Sequence, residues 1–164
     1  MAKVPQDVID AARASQRQWG IPASVTLAQW ALESGWGTKV SGKFNYGGIT
    51  AKVKDAVFPF KPGTPLEPAT LCWTHENWQG KRVSCQRWFK DFPSVEAYFI
   101  AHAKLLATGA PYAKARAKLP DPNAFADALT GVYATAPNYG TVLKSIMGGS
   151  ANLYAYNDAG VKNA

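Results

Sequence analysis

The 164-residue chain has few of the residues that common catalytic and metal motifs require. It contains two cysteines and two histidines, and these form no Cys–His nucleophile motif. No apolar run approaches the roughly 20 residues of a membrane span, so we expect no membrane insertion. The first residues, MAKVPQDVIDAARASQ, lack the apolar core of a signal peptide. We therefore expect either an export route without a signal peptide or prior removal of one.

Composition indicates a globular domain with surplus aromatic surface. Hydrophobic residues make up 47% and charged residues 18%, which suits one domain with a proper core. Six Trp, seven Tyr and seven Phe exceed what such a core needs, and surplus rings often line a groove for sugars or bases. The net charge of +7 suits an anionic polymer, either nucleic acid or bacterial cell wall. Basic residues are scattered without a nucleic-acid-binding signature, so we expect no nucleic-acid partner.

Helices are predicted on both sides of a small β insertion. The pattern predicts one domain over residues 1–164, with an α+β, two-lobed fold. We place a helical lobe at about 1–50 and 91–147, a β-lobe at about 51–90 and a weakly patterned tail at 148–164. The predicted helices span residues 5–19, the segment around Glu33, 95–108 after an N-cap at Ser94, 124–134 after a cap at Asn123, and 139–147.

Glu33 is the only ionisable side chain between Ile21 and Trp36. Val25, Ala28 and Leu32 recur at the spacing of one buried helix face, which puts Glu33 in the last turn of a mostly buried helix. The helix dipole and the nearby Trp30 and Trp36 both disfavour the ionised carboxylate. A carboxylic acid that stays protonated near neutrality is suited to general acid catalysis. The alternative is a glutamate that merely solvates a helix end.

Residues 28–37, AQWALESGWG, resemble the signature of bacterial peptidoglycan glucosaminidases, glycoside hydrolase family 73. The family includes the hydrolase domain of the flagellar rod and several autolysins. The resemblance implies a lysozyme-like fold with Glu33, at the position of the family's catalytic acid, in a cleft between the lobes. It also implies that no metal or organic cofactor is needed.

Two further segments resemble the family. Residues 131–143, GVYATAPNYGTVL, are similar to G-Y-A-T-D-P-x-Y-x-x-K-L, with Ala136 in place of the usual Asp. The resemblance implies that Tyr133 orients the reacting sugar, although a core tyrosine would have the same spacing. Residues 45–49, NYGGI, replace the family's N-x-F-G-I-K. We predict five substrate-binding residues on this basis: Trp30, Trp36, Asn45, Tyr46 and Tyr139.

Residues 71–89 predict a β-hairpin that carries a second candidate carboxylate. With residues 77–80 as the turn, Glu76 faces Lys81 and Cys72 faces Cys85 across the strands. Thr74, Glu76 and Gly80 resemble the family's T-x-E-x-x-x-G, which implies that Glu76 is a base or nucleophile. The substrate's own acetamide is an alternative nucleophile, and an ordinary Glu76–Lys81 ion pair is another explanation.

Cys72 and Cys85 have two possible roles. As direct cross-strand neighbours they could form a disulfide, which we predict. Alternatively, Cys72 and Cys85 could join His75 in a zinc site, but a convincing fourth ligand is missing, so no metal is expected. The second histidine, His102, lies among Ala and Leu in a helix and is interpreted as structural.

The combined hypothesis is an endo-β-N-acetylglucosaminidase that cleaves β-1,4 bonds in peptidoglycan strands, acting as a monomer in the periplasm or cell wall. The alternatives are a muramidase or lytic transglycosylase, a catalytically idle wall-binding module, and a nucleic-acid binder suggested only by charge. A disulfide without a signal peptide is compatible with a phage endolysin or a type VI secretion effector. Resemblance to small single-domain glucosaminidases among such effectors favours the effector, and implies a periplasmic immunity protein that blocks the cleft. A phage endolysin and a trimmed autolysin remain open.

Overall fold

The computed structural model describes residues 4–158, and these form an α+β fold with six α-helices and two small antiparallel sheets. The predicted fold class is confirmed. Two short 3₁₀ turns, Ala110–Tyr112 and Leu153–Tyr156, complete the described elements. The helices are α1 Gln6–Trp19, α2 Ala23–Ser34, α3 Val95–Thr108, α4 Ala113–Arg116, α5 Pro122–Ala128 and α6 Tyr139–Met147, and the strands are β1 Val53–Lys54, β2 Thr64–Pro65, β3 Ala69–Trp78 and β4 Lys81–Lys90.

Helix α2 lies at the centre of the helical lobe. It contacts α1, α5, α6 and the 3₁₀ turn Leu153–Tyr156. Every residue of α2 except Leu32 and Glu33 is buried, as expected for a helix that is apolar on all sides. The prediction that Leu32 shares the buried face is wrong, because its side chain is 40% exposed. The core therefore surrounds the helix that ends beside Glu33.

The cap of α5 differs from the prediction. The side chain of Asp121, not Asn123, accepts hydrogen bonds from the backbone N–H groups of Asn123 and Ala124. Pro122 occupies the first turn, where a missing N–H costs nothing. The helix ends at Ala128 rather than near 134, and the chain then turns through Gly131 at φ 79°. The predicted helices 95–108 and 139–147 are confirmed residue for residue.

Strands β3 and β4 pair from Ala69–Lys90 to Trp78–Lys81, so Gln79 and Gly80 form a two-residue turn. Both residues have positive φ, 51° and 75°, the conformation of a type I′ turn that matches strand twist. The predicted four-residue turn is wrong, and the true register is displaced by two residues. A shift of two keeps each side chain on its face but changes every partner.

The weakly patterned tail that follows α6 is packed as far as the structure describes it. Leu153 is fully buried and Tyr154 nearly so, and their 3₁₀ turn contacts α2 and α6. Residues 1–3 and 159–164, which the prediction assigned to the domain and its tail, lie outside the described residues. Within residues 4–158, no helix has both the length and the hydropathy to cross a membrane.

Candidate active site

Helix α2 ends immediately after Glu33, in a turn built from Ser34 to Gly37. Gly35, Trp36 and Gly37 all have left-handed backbone conformations, with φ of 57°, 59° and 85°. The Ser34 hydroxyl donates to the carbonyl of Trp30 and accepts from the N–H of Gly37 at 2.8 Å. Three consecutive left-handed residues form a tight reversal, and two of them are glycine because only glycine adopts that conformation without strain.

The same turn packs the two tryptophans together. Trp36, the strained non-glycine member, meets Trp30 edge to face with ring centroids 6.0 Å apart. A Cβ on Gly37 would lie 2.8 Å from the ring of Trp30, so the close approach also requires glycine. Trp30 is 3% exposed and supports the site from below, whereas Trp36 is only half-buried.

Glu33 is largely desolvated, and this burial raises its pKa from 4.5 to about 7. Tyr133 opposes the shift: its hydroxyl donates to Glu33 Oε1 at 2.8 Å, which favours the carboxylate. Burial outweighs the hydrogen bond. The carboxyl group therefore exists in both protonation states near neutral pH, as the sequence led us to expect and as general acid catalysis requires.

The Tyr133 hydroxyl has a second partner that we did not predict as part of the site. His102 Nε2 lies 3.0 Å from it, and His102 is buried in α3 at 3% exposure. Burial lowers the pKa of His102 to about 4, so its imidazole is neutral at physiological pH. His102, Tyr133 and Glu33 thus form one hydrogen-bonded chain across three separate segments. The apolar helical context of His102 in the sequence carried no signal of this contact.

Tyr139, predicted to bind substrate, lies beneath Tyr133. Their rings are stacked with centroids 5.7 Å apart, and Tyr139 is 5% exposed. Its hydroxyl accepts from Gln29 Nε2 at 3.0 Å, and burial raises its pKa. The structure therefore places Tyr139 as a support for Tyr133 rather than on the open surface.

A cleft of about 440 Å³ opens beside Glu33. Tyr46 is half-buried on its wall and packs edge to face against both Trp30 and Tyr98. Gly47 lies so close that an added Cβ would be 3.6 Å from Glu33 Oε1. The cleft is lined by Glu33, Lys39, Val40, Ser41, Tyr46, Gly47 and Gly48.

Asn45, also predicted to bind substrate, is fully buried and ties the cleft loop to the hairpin. Its amide donates to the carbonyls of Ile49 at 2.8 Å and Lys90 at 2.9 Å. Its Oδ1 accepts from the N–H of Ile49 at 3.0 Å. Asp91 makes a parallel connection, accepting from the backbone of Lys43 and the hydroxyl of Thr70. These bonds occupy the side-chain atoms of Asn45 with structural contacts.

Glu76 lies on the hairpin and pairs with Arg87, with Oε1 to Nη1 at 3.1 Å. The predicted partner Lys81 is wrong, since the true register sets Glu76 opposite Val83. Cys72, on the same face of the hairpin, reaches the cleft wall at the carbonyl of Ser41. Glu76 is four residues closer to the tip than Cys72, or roughly 13 Å further along the strand.

The predicted disulfide is wrong. Cys72 pairs with Arg87 and Cys85 with Thr74, so the cysteines are diagonal rather than direct neighbours, and both are free thiols. The error follows from the two-residue turn at the hairpin tip. Across residues 4–158, no group of three or more His, Cys, Asp or Glu side chains is placed to hold a metal ion.

The fold and site define a lysozyme-like domain with one desolvated carboxylic acid at the end of a buried helix. Residues 9–151 match the family model described as "Glucosaminidase: Mannosyl-glycoprotein endo-beta-N-acetylglucosaminidase". The chain belongs to this Glucosaminidase family of glycoside hydrolases.

Individual relatives agree with the family. A Lactococcus lactis protein named "Probable N-acetylmuramidase" is 35% identical over 137 residues, which cover 78% of the chain and 28% of the relative. The chain thus spans less than a third of the length of the curated relatives it matches. A peptidoglycan hydrolase mutant from Sphingomonas sp. A1 is 29% identical with a TM-score of 0.68, covering 92% of the chain and 94% of that structure. The catalytic domain of the Listeria monocytogenes autolysin Auto, at 23% identity, 96% and 91% coverage and a TM-score of 0.74, shows the fold alone.

Proposed function

We propose that this protein is a peptidoglycan hydrolase, an endo-β-N-acetylglucosaminidase that cleaves β-1,4 bonds of the glycan strand. The observation that carries the proposal is Glu33, a carboxylic acid with a pKa of about 7 at an open cleft. The family match and the relatives named as peptidoglycan hydrolases support this substrate class. The net charge of +7 favours association with a wall that carries peptide carboxylates.

Glu33 is the proposed general acid. It protonates the glycosidic oxygen as the bond to the anomeric carbon breaks, which turns a poor leaving group into an alcohol. Because Oε1 is occupied by the Tyr133 hydroxyl, the transferable proton belongs on Oε2. Tyr133 thereby positions the carboxyl group.

Half-buried rings offer surfaces on which sugars can stack. Tyr46 lines the cleft, and both Tyr46 and Trp36 pack against Trp30. Aromatic rings bind the apolar faces of sugars through dispersion and apolar contact. We propose Trp36 and Tyr46 as direct substrate contacts. We assign supporting roles to Trp30, Asn45 and Tyr139, because each of these side chains is at least 95% buried.

Glu76 is the proposed second carboxylate. With its ion pair to Arg87 partly exposed, it is free to exchange Arg87 for a water molecule or the sugar when the hairpin approaches the substrate. The substrate's acetamide is the alternative nucleophile. Glu76→Gln distinguishes the two: direct participation predicts a loss approaching that of Glu33→Gln, whereas the acetamide route predicts substantial turnover and a larger defect in Tyr133→Phe.

The decisive experiment compares Glu33→Gln with the wild type on purified peptidoglycan. Gln keeps the shape and an acceptor for Tyr133 but cannot donate a carboxylic proton, so the rate should fall by about 10²–10⁴-fold. Glu96→Gln in the first turn of α3 is the matched control and should retain activity. Wild-type activity in Glu33→Gln would contradict the proposal and favour the non-catalytic wall-binding alternative.

The identity of the cleaved bond needs a separate measurement, because the family is named for glucosaminidases while the Lactococcus relatives are named as probable muramidases. Digested peptidoglycan is reduced with borohydride and analysed by mass spectrometry. We expect reduced N-acetylglucosamine at the new ends. Reduced muramic acid would indicate a muramidase, and 1,6-anhydro ends a lytic transglycosylase.

Delivery as an antibacterial type VI secretion effector stays a prediction from the sequence, as does an immunity protein that blocks the cleft. The effector would be injected into the periplasm of a neighbouring cell. The loss of the predicted disulfide removes one of its arguments, since both cysteines are free thiols. The genes beside the coding sequence would test it, because an effector requires a neighbouring immunity gene with a periplasmic signal.

A further inference from the structure

The chain from His102 to Glu33 can carry its hydrogen bonds in either of two directions. Tyr133 has one hydroxyl proton and lies within hydrogen-bond distance of both His102 Nε2 and Glu33 Oε1. If His102 Nε2 carries a proton, it donates to Tyr133, and Tyr133 donates to Glu33. If Nε2 is bare, Tyr133 donates to His102, and its oxygen can only accept from a protonated Oε1.

The two directions place the catalytic proton on different atoms. In the first, Oε1 is an acceptor, so the proton of the neutral carboxylic acid must reside on Oε2. In the second, the proton sits on Oε1, where it is spent on a hydrogen bond to Tyr133 and cannot reach a glycosidic oxygen. The tautomer of one imidazole therefore decides whether the protonated acid is productive.

The surrounding aromatic rings hold His102 and Tyr133 in place. His102 is buried between the rings of Tyr98 and Tyr133, with centroids at 6.0 and 5.6 Å. The stacked Tyr139 holds Tyr133 from the other side. Under the proposed mechanism Glu33 becomes ionised once in every catalytic cycle. The ionised carboxylate can accept from Tyr133 only when His102 Nε2–H donates to the Tyr133 hydroxyl.

We propose that His102 is a positioning residue whose Nε2–H holds the Tyr133 hydroxyl towards Glu33 Oε1 and thereby keeps the catalytic proton on Oε2. This inference rests on the proposed role of Glu33 as the general acid. Among the described residues, the hydroxyls of Tyr98 and Tyr139 also interact with Glu33 and stay neutral in the working range. Lys39 lines the same cleft.

The tautomer can be measured without any activity assay. Two-bond ¹⁵N–¹H spectra of the labelled protein distinguish Nε2–H from Nδ1–H in a neutral imidazole. The chain has two histidines, and His75 is exposed on the hairpin, so His75→Gln assigns the remaining signals to His102. We expect neutral Nε2–H at pH 7. A predominant Nδ1–H tautomer would overturn the inference while leaving the proposed function of Glu33 untouched.

Activity variants then test whether the contact matters for turnover. His102→Leu removes the donor, and we expect kcat to fall by about tenfold, the scale of one lost hydrogen bond, with KM unchanged. His102→Gln can place an amide N–H near the position of Nε2 and should recover most of the loss. His75→Gln serves as the control with wild-type kcat.

A double-mutant cycle separates positioning from a general packing role. If His102 acts through Tyr133, His102→Leu should cost nothing further in a Tyr133→Phe background. Equal losses in both backgrounds would refute the inference, as would wild-type kcat in His102→Leu. If His102→Leu fails to fold, the measured tautomer of His102 and the kcat of His102→Gln still test the inference. Loss of the proposed function would appear separately, as full activity in Glu33→Gln.

Discussion

Replacing Glu33, the proposed catalytic acid, should stabilise the folded protein at alkaline pH. Burial raises the pKa of Glu33 to about 7 from 4.5, so ionising it in the folded state costs free energy. At about 1.4 kcal/mol per pH unit, the difference amounts to about 3 kcal/mol. Glu33→Gln removes this cost because glutamine has no charge to bury, and it still offers an acceptor to Tyr133.

The sign of the effect follows from proton binding. Between pH 4.5 and about 7 the unfolded chain has lost the Glu33 proton while the folded protein retains it. The stability of the wild type therefore falls as pH rises through this window and reaches its full penalty above pH 7. The variant lacks this contribution. The two proteins should be similar near pH 4.5, and the variant more stable by up to about 3 kcal/mol at pH 8.

Urea unfolding of both proteins from pH 4 to 8.5 gives the measurement. A gain of about 3 kcal/mol corresponds to roughly 6–12 °C in Tm for a chain of this size. Glu96→Gln removes the same charge from an exposed side chain and reports the effect of net charge. A stability difference between wild type and Glu33→Gln that does not change with pH would refute the argument that burial of Glu33 dominates its ionisation.

Three further predictions follow from individual contacts. Burial lowers the pKa of His102 to about 4 from 6.5, so the wild type should lose stability as pH falls through that window, and His102→Gln should lose less in the same urea series. Because both cysteines are free thiols, the intact mass should not change on reduction. A mass gain of two hydrogens on reduction would show that Cys72 and Cys85 form a disulfide. Gly47→Ala would set a methyl group 2.2 Å from the Tyr98 hydroxyl and should destabilise by about 1–3 kcal/mol, whereas Gly148→Ala, whose nearest neighbours are at 3.5 Å, should leave Tm unchanged.

The sequence was sufficient to predict those elements that are determined by neighbouring residues. Ser94 accepts from the N–H of Ala97, as its position before an apolar run predicts, and helix 95–108 was found residue for residue. Glu33 was identifiable because one isolated charge in an apolar helix is unusual. The hairpin register could not be identified in this way, because Gln79 adopts a left-handed conformation that glutamine rarely takes. A four-residue turn was equally compatible with the residues.

The site depends on contacts between residues that are far apart in sequence. His102 and Tyr133 are 31 positions apart, and Tyr133 and Glu33 are 100 apart. No periodicity links such residues, so the motifs could suggest Tyr133 but not its partner His102. The same limit explains why Asn45 and Tyr139 were predicted to bind substrate although both side chains are buried. A motif indicates that a side chain matters, but only packing shows whether it faces the cleft or supports it from beneath.

The turn after Glu33 has a consequence for how relatives of this protein are recognised. Of the five letters E-S-G-W-G, four describe shape: a hydroxyl that closes the helix, two glycines in a left-handed reversal, and a ring packed against Trp30. Of these five residues, only Glu33 carries the acid that the proposed mechanism uses. A descendant that exchanged Glu33 for another residue would keep every constraint on the other four and would match its relatives almost as well. Similarity across this stretch therefore reflects the architecture, and under the proposed function the residue at position 33 distinguishes an active enzyme from an inactive copy.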